Sequence, residues 1–143
     1  MKIGITFGVF DLLHAGHIMM LEEARRNCDY LIVGLNTDPS EVSPEKSVPT
    51  QTVVERYIQL EGCRYVDEII PYETEQDLID IIKALPIQVR IIGEEYRDMD
   101  FTGKNIVWKK GLKFTIISGL TVFQVQVYAK KSQQRKRREL VIE

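Results

Sequence analysis

Residues 3–8 read Ile-Gly-Ile-Thr-Phe-Gly, an apolar run rich in β-branched residues and of the length of a buried strand. The chain then turns through Gly8 and Asp11 into a segment with helical spacing. A strand that gives way to a helix within a few residues leaves few folds open, because the next strand must return beside the first. Between His14 and Cys28, Ile18, Leu21, Ala24 and Cys28 fall three or four apart, with Glu22, Glu23, Arg25 and Arg26 on the other face. A second apolar run, Asp29 to Leu35, follows and ends in Asn36-Thr37-Asp38-Pro39. This is a βαβ unit, whose strands are expected to be parallel and joined by a right-handed crossover.

The same alternation continues. Asp38 to Thr52 contains Pro39, Pro44 and Pro49 and reads as a long loop, a kind often functional in compact domains. Val53 to Gly62 reads as a helix stopped by glycine, and Tyr65 to Pro71 as a short strand ended by proline. Thr74 with Asp77 opens a further helix to Leu85, which carries Leu78, Ile81 and Ile82 at helical spacing. Val89 to Gly93 is the next strand. The expected architecture is a doubly wound, Rossmann-like α/β domain, with a parallel sheet and helices on both faces. Such sheets bind ligands beyond the carboxyl ends of their strands, which gathers Gly8 to Asp11, Asn36 to Asp38 and Gly93 to Tyr96 along one edge.

Composition narrows the partners. The 143 residues carry 19 basic and 21 acidic side chains, and six of the basic ones lie between Lys130 and Arg138. Residues 1–129 therefore hold 13 basic against 19 acidic residues, a balance that argues against a general nucleic-acid binder. Cys28 and Cys63 have neither metal-ligand spacing nor the number for a disulfide framework, and are read as reduced thiols. No window approaches transmembrane length, so a cytoplasmic protein with no membrane partner is expected.

The chemistry concentrates at the first strand-to-helix corner. A helix start offers free backbone N–H groups and the positive end of the dipole, which suits phosphate. His14 and His17, at i and i+3, project from one side of the first turn and can donate hydrogen bonds to phosphate oxygens. Gly16 removes a side chain where a ligand can approach the backbone. The plainer alternative is two surface histidines on an ordinary helix. They are, however, the only histidines in the chain and share one corner, which favours function. A zinc site lacks a third His or a Cys nearby, so no protein-held metal is expected. Mg2+ carried in with a triphosphate is the more natural ion.

Gly8-Val9-Phe10-Asp11-Leu12-Leu13-His14-Ala15-Gly16-His17 resembles the G-x-F-D-x-x-H-x-G-H signature of the cytidylyltransferase family of nucleotidyltransferases. With Arg64-Tyr65-Val66-Asp67-Glu68, it is most similar to the bacterial glycerol-3-phosphate cytidylyltransferases, over Met1 to about Gly103. The resemblance implies transfer of a cytidylyl group from CTP to a phosphorylated alcohol such as glycerol 3-phosphate, releasing pyrophosphate. It assigns catalytic roles to His14, His17, Lys46 and Arg64. It assigns nucleotide or substrate contacts to Gly8, Val9, Phe10, Asp11, Gly16, Asp38, Arg56, Gly93, Glu94 and Tyr96. It also implies a homodimer. An adenylyltransferase of the same superfamily is the alternative.

The resemblance stops before Ser118-Gly119-Leu120-Thr121-Val122-Phe123-Gln124-Val125-Gln126-Val127-Tyr128, where the family carries an Arg and then a Ser/Thr run. As printed, Phe123 to Tyr128 reads as an alternating strand before a solvated basic tail. The neighbouring reading frame permits Arg at the Ser118–Gly119 junction, then Thr-His-Gly-Phe-Ser-Ser-Ser-Ser-Leu-Arg up to Ala129. That string is the missing motif in its expected place. A one-base shift near Lys104 would make Lys104 to Glu143 an out-of-frame segment and the chain a catalytically impaired nucleotide-binding remnant.

Overall fold

The computed structural model describes residues 1–39, 48–93 and 113–117. Five parallel strands, β1 (Ile3–Gly8), β2 (Tyr30–Asn36), β3 (Glu68–Tyr72), β4 (Val89–Gly93) and β5 (Lys113–Ile117), form one sheet in the order β3-β2-β1-β4-β5. Helices α1 (Ala15–Arg26), α2 (Val53–Glu61) and α3 (Glu75–Ala84) connect them. This is the doubly wound α/β fold expected from the alternation. The order reverses between β1 and β4, so the topological switch point lies at the carboxyl end of β1.

The pleat explains the layering. Leu31, Val33 and Leu35 of β2 face one side, where they pack with Leu21 and Ala24 of α1, Cys28 just beyond it, and Leu60 of α2. The intervening Ile32, with Ile5 of β1, faces the other side, toward Ile81 of α3. Leu78 and Ile82 of α3 pack there against Phe7 and Tyr72. Burying each such aliphatic side chain is worth about 1.5–3 kcal/mol, so both faces of β2 hold the sheet between its helices. One glycine is indispensable to this packing: a Cβ on Gly34 would stand 2.2 Å from Cδ1 of the Phe7 ring.

Each helix begins on a reciprocal cap. Thr52 accepts from the Glu55 amide while Glu55 accepts from the Thr52 amide, and Thr74 and Asp77 do the same for α3. Gly62 caps the end of α2 as expected, although in the ordinary right-handed region rather than the left-handed one. Pro71 does not end the third strand but sits inside it. β3 pairs with β2 and stands at the margin of the described sheet, where a missing N–H is tolerated. β5 was not anticipated, and the expected strand at Phe123 to Tyr128 lies outside the described residues. Among the described residues no helix is long and apolar enough to cross a membrane.

Candidate nucleotide site

The carboxyl end of β1 leads through residues 9–14 into α1. His14 is the N-cap, with extended backbone, and its Nδ1 accepts from the Gly16 amide at 3.0 Å. The His14 amide in turn donates to Nδ1 of His17 at 3.2 Å. The two imidazoles thus make the reciprocal cap that Ser/Thr and Glu usually provide. Their ring centroids stand 4.1 Å apart, and the Phe10 ring lies 5.8 Å from that of His17.

This arrangement decides the protonation of both rings. A neutral imidazole whose Nδ1 accepts a hydrogen bond carries its proton on Nε2. Burial lowers the pKa of His14 below its ordinary value. His17 is lowered to about 4, by burial first and then by the charge of His14, with Asp11 opposing. Near neutral pH both rings are therefore uncharged and carry their proton on Nε2, beside the positive end of a helix dipole. Such donors can hold phosphate oxygens and stabilise charge that develops on them.

The loop before the helix is strained and fastened. Phe10 and Leu12 both have φ of 51°, in the left-handed region that non-glycine residues rarely adopt. The Asp11 carboxylate accepts from the amides of Thr50 at 2.7 Å and Gln51 at 2.9 Å, just before α2. The Leu12 amide donates to Oε1 of Gln51 at 2.8 Å. Gly8 must stay small, because a Cβ there would approach the Phe10 ring to 2.8 Å.

Arg56, on the first turn of α2, is 1% exposed. Its guanidinium donates to the carbonyls of Gln51 (3.2 Å), Val9 (3.1 Å), Asn36 (2.5 Å) and Thr37. It therefore ties the ends of β1 and β2 to the start of α2. Burial lowers its pKa, against the favourable charges of Asp11 and Asp38. Asp38 stands nearby, just beyond β2.

The structure thus brings together Gly8, Val9, Phe10, Asp11, His14, Gly16, His17, Asp38 and Arg56 at one edge. Gly93 ends β4 on the same edge. It does not bring Arg64 there. Arg64 follows α2, in the connection that returns to the amino ends of the strands, and lies over the Tyr65 ring, 5.6 Å from its centroid. The contacts around it confirm that edge: Asp67 binds the Leu31 backbone at the start of β2 and pairs with Arg25 at 2.9 Å. Lys46, Glu94 and Tyr96 lie outside the described residues. Thr50 and Gln51 escaped the reading of the sequence, since partners 39 and 40 residues apart leave no local signal.

No group of three His, Cys, Asp or Glu side chains that could hold a metal occurs among the described residues. Both Asp11 oxygens already accept backbone amides, and imidazole is a poor partner for magnesium. The described residues do not form a protein cage for Mg2+.

A family model described as cytidylyltransferase-like matches residues 5–137. The chain belongs to the cytidylyltransferase-like family. Among relatives, the glycerol-3-phosphate cytidylyltransferase of Bacillus subtilis is 42% identical over 97 residues, which is 67% of this chain and 74% of that protein. The bifunctional protein HldE of Granulibacter bethesdensis is 39% identical over 120 residues, or 82% of this chain. This cytidylyltransferase-like chain spans only 24% of the length of that relative. A lipopolysaccharide core biosynthesis protein from Thermoplasma volcanium superposes with a TM-score of 0.68 at 25% identity, over 82% of this chain and 97% of that one. Pantothenate synthetase from Thermus thermophilus shares the fold, with a TM-score of 0.56 at 15% identity over 82% of this chain and 55% of that one.

Proposed function

We propose that the chain transfers a cytidylyl group from CTP to a phosphorylated alcohol such as glycerol 3-phosphate. The observation that carries this reading is the paired cap, which sets two neutral imidazoles, protonated on Nε2, at a helix start on the switch point. The Bacillus subtilis relative supplies the acceptor. A phosphate oxygen of the alcohol attacks the α-phosphorus of CTP in line. The new P–O bond forms as the bond to the β-phosphate bridge breaks, and pyrophosphate leaves with the displaced electron pair. No covalent enzyme intermediate is involved. His14 and His17 hold phosphate oxygens and stabilise the developing charge, so catalysis is positioning and electrostatics. Mg2+ would arrive on the triphosphate and neutralise part of its charge, and no step is assigned to it.

Lys46 completes this proposal as a phosphate-directed cation, and the acting species is a homodimer. Pyrophosphate release from CTP, measured across a panel of phosphorylated alcohols, tests it. Release that depends on one acceptor supports the transfer, and no release with any acceptor refutes it.

A corner that holds phosphates does not distinguish one base from another, so an adenylyltransferase is the second reading. The same assay with ATP in competition separates the two. A third outcome follows from the reading frame: a chain that binds nucleotide and turns over weakly or not at all.

A further inference from the structure

The loop between β1 and α1 is held at Val9, Asp11 and Leu12, by Arg56, Thr50 and Gln51. The Gln51 amide donates to Asp11, its side-chain oxygen accepts from Leu12, and its carbonyl accepts from Arg56, which also holds the Val9 carbonyl. Two of the three Gln51 bonds use backbone groups and would survive any substitution but proline. The bond to Leu12 alone depends on the side chain. Leu12 has positive φ, which a leucine rarely adopts, and is 42% exposed. If the acceptor is removed, the Leu12 amide can turn to water and the residue can relax to negative φ, only two positions before His14.

We propose that Gln51 is a positioning residue for the histidine corner: its Oε1 holds Leu12 in the left-handed conformation and thereby sets the reciprocal cap of His14 and His17. Its importance for turnover rests on the reading of those imidazoles as phosphate donors. The cap itself can be observed without any turnover.

The test compares the full chain with Gln51→Met, which keeps the shape and loses the acceptor, and Gln51→Glu, which keeps an acceptor oxygen. Long-range proton–nitrogen spectra of the imidazoles, without nucleotide, report tautomer and titration. With two histidines in the chain the signals are few. The full chain is expected to show Nε2–H tautomers and a His17 that titrates near 4. Gln51→Met is expected to mix the tautomers and raise that titration toward the ordinary value, and Gln51→Glu to restore the tautomers, its added carboxylate raising the titration by charge as Asp11 does. Spectra of Gln51→Met that superpose on the full chain overturn the proposal, as does equal mixing of tautomers in both variants. A Gln51→Met chain that fails to fold while Gln51→Glu folds with the native tautomers supports it. Failure of both to fold overturns it in favour of a general structural role. An unaltered chain that releases no pyrophosphate refutes the functional reading and leaves this test standing.

Discussion

The amide of His14 donates to Nδ1 of His17 at 3.2 Å, and the two rings stand 4.1 Å apart. Helix start and candidate phosphate grip are therefore built from the same two side chains. Substitutions can separate the two roles, because asparagine is a good N-cap and glutamine serves at the third helical position. His14→Asn and His17→Gln should each keep stability within about 1 kcal/mol of the unaltered chain. Each should lower turnover by about 100-fold or more, since a charge-stabilising donor is lost. Urea unfolding and pyrophosphate release, measured on the same preparations, check both halves.

Acid should act through His17. Its folded pKa, about 4, lies below the ordinary 6.5, so between these values the unfolded chain binds more protons. The stability contributed by the neutral ring is complete above pH 6.5 and is lost as pH falls toward 4, at about 1.4 kcal/mol per pKa unit. A proton on Nδ1 would also displace the His14 amide. The melting temperature should fall over this window, and His17→Gln should flatten that fall.

Arg56 should prove structural in its effect. Its guanidinium serves buried carbonyls of three segments, and each carbonyl left without a donor costs about 1–3 kcal/mol. Arg56→Met is expected to destabilise by about 3 kcal/mol or more. Arg56→Lys should recover little of this, because an ammonium cannot span the same fork. Denaturant midpoints decide it.

Gly34→Ala should cost about 1–3 kcal/mol through overpacking against the Phe7 ring. A second change, Phe7→Leu, removes the clashing ring and should return part of that loss. Thermal unfolding of the two variants and their combination measures the coupling.

Sequencing the gene tests the frame. The expected outcome is a one-base change near Lys104 that restores the Arg and serine run. A frame-restored chain should release pyrophosphate from CTP with glycerol 3-phosphate faster than this one, and equal turnover would refute the idea.

The alternation of apolar runs with helical spacing was enough to anticipate four strands, three helices and a shared carboxyl edge. Caps such as Thr74 with Asp77 were legible because they are local in sequence. The histidine corner was found for the same reason, three residues apart. Its internal hydrogen bonds were not, since histidine is an unusual N-cap and the tautomer depends on geometry. Arg56 illustrates the limit most clearly. A basic residue on an amphipathic helix carries no mark of the three distant carbonyls that bury it, at Val9, Asn36 and Thr37. Arg64 is the converse case, where a motif suggests a site that the topology places on the other edge.

The shared cap has one more consequence. In the unfolded chain each imidazole interconverts between its two neutral forms, and only closure of the first helical turn selects the one that donates from Nε2. A ligand gripping both donors thus binds the locally folded turn and favours its closure. Affinity for pyrophosphate alone would then serve as a gauge of local helix order, readable at equilibrium and without any bond being broken.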